Sequence, residues 1–389
     1  MSSSHIVLCR ERTLPQKIRV FHLCDKFGVR GARTHGVSRL FTWWFPRFDP
    51  SRFEPRLICI RPEDESSAHL RRHGLNPTCL GHGRFSPAVL TDLLALIRRE
   101  RPGILHAHGF ATSNYGRVAG AIAGVPTIVH EHAVFPSIPW YQVPADRALS
   151  SRTDLGIAVS DSTREFMVHR RFIAREKIRV FFSGAPLDVF KPLPVERVRE
   201  ERARLGLRPD EKVVGTVGRL DAQKGVTYFL KAAARVLSRN RDVRFLIAGD
   251  GHLLDEHREE ARTLGIADRI LFAGFWEDVP AFQSLLDVQV FPSIYEGTPL
   301  TVFEAMSMSR PIVSTTVDGL GEVLRDRKNA LLVSPRDDER LAAAVLEMLE
   351  TPGLAARLAA QAELDSRGFD VRKTVDGLQT IYEELLGRP

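Results

Sequence analysis

Apolar and polar positions along the chain fall into two long series, and each predicts strands and helices in turn. In the first series the residues around 17–24, 56–60, 104–108, 126–130, 154–160 and 178–182 are short, apolar and rich in β-branched residues, which predicts strands. Apolar residues at helical spacing predict helices over 37–45, 87–99 and 114–123. Residues 183–194 have three prolines in twelve and no period, which predicts a linker. The second series places strands at 212–218, 243–248, 269–273, 287–291, 311–314 and 330–333, with helices between them. It closes on helices over 337–349, 353–364 and 371–386. Strand and helix alternating at this pitch imply parallel sheets covered by helices, here an α/β chain of two domains.

One stretch carries more than packing. The apolar run 285–291 leads to Gly297, Thr298 and Pro299, where the chain turns into a helix with Leu300, Phe303 and Met306 at helical spacing. Thr298 suits an N-cap and Pro299 a first helical position. The amides of such an end attract an anion such as a diphosphate. Glu296 stands just before this helix and Glu304 inside it. Two carboxylates beside an anion site make sense when they hold neutral hydroxyls on either side of it; two incidental glutamates are an equal alternative.

Other candidates stand at predicted strand ends, where open parallel sheets bind ligands. Arg219 and Lys224 lie on the turn from Gly218 to Gly225, and Gly249 and Gly251 flank another. Arginine forks two phosphate oxygens and lysine adds a point charge. Phe275 and Trp276 follow a further strand and suit either a nucleobase or the core. In the first series Gly28, Gly31 and Gly36 lie between a strand and a helix, but off the dinucleotide-binding spacing. His106 and His108, then His130 and His132, form two pairs at strand ends, with both rings of a pair on one face. Zinc is one reading of such pairs, though no carboxylate follows at ligand spacing. The preferred reading has one ring of each pair packed or hydrogen-bonded and the other facing a cleft.

Charge changes the picture in one respect. Residues 1–190 carry 27 Lys and Arg against 16 Asp and Glu, or +11, and the remainder carries 28 against 32, or −4. A basic half suits an acidic lipid surface or an anionic acceptor. Its cations are scattered and no nucleic-acid motif accompanies them, which argues against a nucleic-acid partner. Trp43, Trp44 and Phe45 are either core or a membrane contact. No apolar run reaches membrane-span length and no secretory signal opens the chain. Four cysteines without a metal spacing read as reduced thiols. The expected location is cytoplasmic, with peripheral contact at the inner face of a membrane left open.

In this order and spacing the motifs resemble the retaining GT-B glycosyltransferases of family 4, from about Lys17 to Leu386. The matching stretches are 217–225, 248–251, 272–274, Glu296 to Glu304, 318–322 and 328–333, with 105–108, 129–132 and 159–160 in the first half. The resemblance implies a GT-B fold, two Rossmann-like parallel-sheet domains facing across a cleft. Residues 17–185 would form the acceptor domain, 186–366 the donor domain, and 367–389 a helix crossing back. It implies a nucleoside-diphosphate sugar donor, a glycan or lipid-linked acceptor, no cofactor and no metal, and work on envelope polysaccharide or glycolipid. Arg219 and Lys224 would clamp the diphosphate, Glu304 the ribose, and Glu296 the donor sugar. Gly218, Gly249, Gly251 and the amides near Gly297, Thr298, Pro299 and Leu300 would border the donor. His132 would face its sugar, and Gly28, Gly31 and His108 would border phosphate and acceptor. Thr34, Gly103, Ser183, Ser309 and Ala330 depart from the family's pattern and leave the acceptor side undefined. A nucleotide-sugar epimerase and a non-catalytic sugar-nucleotide-binding paralogue share the architecture.

Overall fold

The computed structural model describes residues 17–28 and 36–387. Two parallel sheets form, one in each half of the chain. The first holds β1 (Ile18–Cys24), β2 (Phe53–Cys59), β3 (Thr78–Cys79), β4 (Ile104–His108), β5 (Thr127–Glu131), β6 (Leu155–Ala158) and β7 (Ile178–Val180), in the order β3-β2-β1-β4-β5-β6-β7. The second holds β8 (Lys212–Val217), β9 (Val243–Ala248), β10 (Ile270–Gly274), β11 (Val288–Phe291), β12 (Ile312–Thr315) and β13 (Leu331–Val333), in the order β10-β9-β8-β11-β12-β13. Strand order reverses between β1 and β4 and between β8 and β11. The carboxyl ends at those two points are where such sheets place ligands.

Burial on both faces explains the apolar strand sequences. One apolar cluster runs from the first sheet through Phe190 in the connecting segment to Phe303 in the second half. Within it, Phe41, Trp43 and Trp44 of the Gly36–Trp44 helix are buried over the first sheet. These aromatics are therefore core, and the membrane reading of Trp43 and Trp44 is withdrawn. The helix Val371–Leu385 returns to the first half: the Gln379 amide oxygen accepts from the Asp49 amide (2.8 Å), and Thr374 Oγ1 donates to the Phe182 carbonyl (2.9 Å).

The halves also meet at the floor between the two sheets. A Cβ on Gly297 would lie 2.2 Å from the His132 carbonyl oxygen, so only glycine lets the two backbones touch there. Glu322 crosses to the helix Asp161–Arg171 and accepts from the Asp161 amide (2.7 Å) and the Ser162 amide (2.8 Å). A carboxylate on free amides at a helix start is a charge-assisted cap.

Candidate active site

A cavity of about 640 Å³ lies between the halves. It takes in the predicted His132, Gly218, Arg219, Lys224, Gly249, Glu296, Thr298, Pro299 and Leu300. Their placement follows from strand ends and turns. After β8 the chain makes a single tight turn over Ala222–Lys224, closed by Gly225 at φ +63°. A Cβ there would fall 2.0 Å from the Pro292 carbonyl oxygen, so this glycine locks the Lys224 turn against the loop that bears Glu296. Gly249 and Gly251 press on the backbones of Gly218 and Leu220 and hold the turn from the other side.

The polar groups there are tied together. Lys224 Nζ lies 2.5 Å from Glu296 Oε1, and Ser293 Oγ donates to the same oxygen (2.9 Å). Gln223 Nε2 donates to Glu296 Oε2 (3.1 Å), while Gln223 Oε1 accepts from Arg219 Nη2 (3.2 Å). Arg219 also pairs with Asp221 (2.9 Å). The Glu296 amide donates to Asp318 Oδ2 (2.8 Å), and burial holds that aspartate's pKa above its ordinary value. Two cations thus stand beside the amino end of the Leu300–Ser307 helix, each paired with a carboxylate.

Several expectations need correction. The helix starts at Leu300 with Pro299 as its cap residue, and Thr298 Oγ1 does not cap it but donates to the Val159 carbonyl across the halves (3.2 Å). Glu304 is fully buried and stands outside the cavity lining. Arg39 Nη1 lies 2.7 Å from Glu304 Oε1, between two rings, Trp43 at 4.9 Å and Phe190 at 5.7 Å. Burial pushes the Glu304 pKa up to about 7 against the pull of Arg39. The Gly28 amide is committed to Asp64 Oδ2 (3.0 Å). Gly31 lies outside the described residues, as does Thr34. Gly251 and Gly297 support the lining rather than belonging to it.

The histidines also differ from expectation. In the second pair His130 is buried and His132 reaches the cavity, as the preferred reading had it. In the first pair both His106 and His108 are buried, and His108 stands outside the cavity lining. Glu131, between the second pair, points to the opposite face and pairs with Arg171. His22 of β1 joins the rings, and two triplets, His22/His106/His108 and His108/His130/His132, hold their nitrogens within 4.8 Å. A zinc shell fits them poorly. Neighbouring nitrogens already pair with one another at 2.8–3.1 Å, the rings stack rather than converge, and among the described residues no carboxylate joins to offset buried charge.

Residues that pattern reasoning missed are Arg39, Gln223 and Asp318. Gln223 sits inside the recognised turn, so its position was available; Arg39 reaches Glu304 only through the packing of two distant elements. Trp276 lines the cavity and also packs on Phe282.

Comparison with known proteins decides the family. Residues 211–351 match the model of "Glycosyl transferases group 1", and residues 19–189 that of "Glycosyltransferase Family 4". The alpha-D-kanosaminyltransferase of Streptomyces kanamyceticus is 31% identical over 308 residues, 74% of this chain and 79% of that protein. The chain belongs to glycosyltransferase family 4. A second relative in this family, the UDP-Gal:alpha-D-GlcNAc-diphosphoundecaprenol alpha-1,3-galactosyltransferase of Escherichia coli, is 27% identical over 369 residues, 90% of this chain and 94% of its own. The Anabaena HepE structure in complex with UDP and glucose superposes with a TM-score of 0.82 at 21% identity, over 95% of this chain and all of that one, which shows the GT-B fold. The protein is a glycosyltransferase.

Proposed function

We propose that this glycosyltransferase moves a hexose from a nucleoside-diphosphate sugar to an acceptor hydroxyl with retention of configuration. The observation that carries this reading is the meeting of Arg219, Lys224 and Glu296 beside the Leu300–Ser307 helix start, at the carboxyl ends of β8 and β11. On donor binding, the diphosphate takes the place of Asp221 and Glu296 as the partner of the two cations. The bond from sugar C1 to the phosphate oxygen breaks, and its electrons stay on the phosphate, where Arg219 and Lys224 meet the growing charge. The acceptor oxygen bonds to C1 on the same face, and its proton passes to the departing phosphate. No divalent ion is required, because the two cations supply the charge.

Glu304 holds the ribose hydroxyls once Arg39 withdraws, Glu296 holds sugar hydroxyls, and His132 faces the sugar. The acceptor is a glycan or lipid-linked sugar of envelope polysaccharide or glycolipid synthesis, in keeping with what the Escherichia coli relative's name says it acts on. The enzyme works at the cytoplasmic face of a membrane. Supporting this are the basic first half and an exposed aromatic patch in it, with Trp140 86% and Phe85 70% exposed. No helix among the described residues is long and apolar enough to cross a membrane.

A donor panel tests the reading: purified protein with UDP-, GDP- and ADP-hexoses, with and without lipid extract, read for released nucleotide. Acceptor-dependent release is expected. Conversion of the donor to an isomeric sugar without acceptor would make the protein an epimerase instead.

A further inference from the structure

Behind His132 the first sheet holds a continuous chain of hydrogen-bonding rings. His132 Nε2 meets His108 Nδ1 (2.8 Å), and His108 Nε2 meets His22 Nδ1 (3.1 Å). His22 Nε2 faces the Tyr382 hydroxyl at 3.5 Å, and that hydroxyl stands 2.7 Å from His106 Nδ1. His106 Nε2 meets His130 Nδ1 (3.0 Å), and there the chain ends, since His130 Nε2 is buried without a partner under the Trp44 ring. Strand register builds this array: β1, β4 and β5 lie side by side, with His22 opposite His106 and Cys24 opposite His108. The helix Val371–Leu385, from the far end of the sequence, supplies Tyr382.

Burial keeps all five imidazoles neutral, holding their pKa values below the ordinary range. A neutral imidazole has one N–H and one bare nitrogen, so each ring donates once and accepts once. In an unbroken chain the proton order is then all-or-none, and fixing one ring fixes every other. Tyr382 has a single hydroxyl proton and two ring neighbours at unequal distance. The 2.7 Å contact is the spacing of an O–H donor, since N–H donors to oxygen favour about 2.9–3.0 Å. The proton therefore points to His106 Nδ1, and the phenol oxygen presents a lone pair to His22. His22 then carries its hydrogen on Nε2, His108 on Nε2, and His132 on Nε2. His106 Nε2 donates to His130, whose own Nε2–H is the buried group left unmatched.

We propose that Tyr382, acting through His22 and His108, fixes His132 as the Nε2–H tautomer, so that its bare Nδ1 accepts a hydrogen bond from a hydroxyl of the transferred sugar. In this state His132 selects a hydroxyl donor over a phosphate oxygen, which only accepts. Tyr382, His22 and His108 are positioning residues. The role at the sugar rests on the function proposed above; the tautomer itself does not.

Long-range proton–nitrogen correlation on the unliganded full chain, with labelled histidine, reads the tautomer directly. His132 is expected to be protonated at Nε2 and bare at Nδ1. A wild-type protein with the proton on His132 Nδ1 would overturn the proposal whatever any variant does. In Tyr382→Phe the donor that sets the direction is gone, and a share of His132 should move to the Nδ1–H form. Turnover should then fall about tenfold, the scale on which outer-shell partners of a functional histidine act, with nucleotide affinity held. An unchanged tautomer in Tyr382→Phe, or a shifted tautomer with unchanged turnover, contradicts it. Failure of the donor panel with the expected tautomer intact would fault the proposed function and leave the ring chain standing.

Discussion

At the scale of residues, two glutamates have different surroundings, and the roles proposed for them differ accordingly. Glu296 is held at the cavity by Lys224, Ser293 and Gln223, whereas Glu304 is buried against Arg39 alone of the described cations. Glu304→Gln should weaken free nucleoside diphosphate by tenfold or more, because charge-assisted bonds to ribose hydroxyls are lost, about 1.5–3 kcal/mol. Glu296→Gln should leave nucleotide affinity alone and lower turnover of the full donor. Calorimetry with the nucleotide decides; equal weakening by both, or weakening by Glu296→Gln only, would overturn the assignment. Burial gives Glu304 a second signature. Its folded pKa, about 7, lies above its ordinary value of 4.5, so the protonated form is the one folding favours. The stability this contributes is full below about pH 4.5 and is lost as pH rises toward 7, up to about 3 kcal/mol. Glu304→Gln carries no such titration. Urea unfolding of both proteins should show the variant gaining on the wild type between pH 4.5 and 7, and a constant gap would contradict the assignment. Arg219, Lys224 and both glutamates were legible in the sequence because each sits at a fixed offset from a glycine or a helix start. Arg39 was not, since nothing local marks a side chain whose partner is 265 positions away.

At the scale of elements, the core strands were legible and the amphipathic margins were not. Strands such as β8 and β9 are apolar runs between polar turns. The helices Glu65–Arg72, Gln142–Leu149, Asp161–Arg171 and Val195–Arg204 went unassigned. Val195–Arg204 buries no residue, and Asp161–Arg171 shows only a few apolar positions among charges, so periodicity had little to act on. The latter helix is instead anchored from the other half by Glu322. Glu322→Ala should cost about 1 kcal/mol of stability, the usual value of a lost cap. Amide exchange at Asp161 and Ser162 should quicken while the strands stay protected; unchanged exchange there would mean that the cap contributes nothing.

At the scale of the molecule, two parallel sheets bring their switch points to one cavity, and the C-terminal helix ties the ends of the chain together. Repetition of strand and helix predicted both sheets, whereas the contact of Tyr382 with the histidines of β1 and β4 is a product of that long return. The basic first half with Trp140 exposed predicts binding to anionic vesicles. Co-sedimentation should fall on Trp140→Ala and on raising salt, which screens such charges within about 8 Å at physiological strength. Binding unaffected by either would contradict this contact, and no co-sedimentation at all would separate the enzyme from the membrane.

The central claim is that Arg219 and Lys224 do for the leaving phosphate what a divalent ion does elsewhere. Its most direct measurement is turnover of Lys224→Ala against wild type at saturating sugar nucleotide, in excess chelator, with donor affinity measured alongside. The wild type should keep its activity in chelator, and the variant should fold, bind donor, and lose a hundredfold or more in turnover, about 3 kcal/mol of transition-state stabilisation. A wild type that stops in chelator and resumes with a divalent ion, or a variant within about tenfold of wild type, would contradict the account.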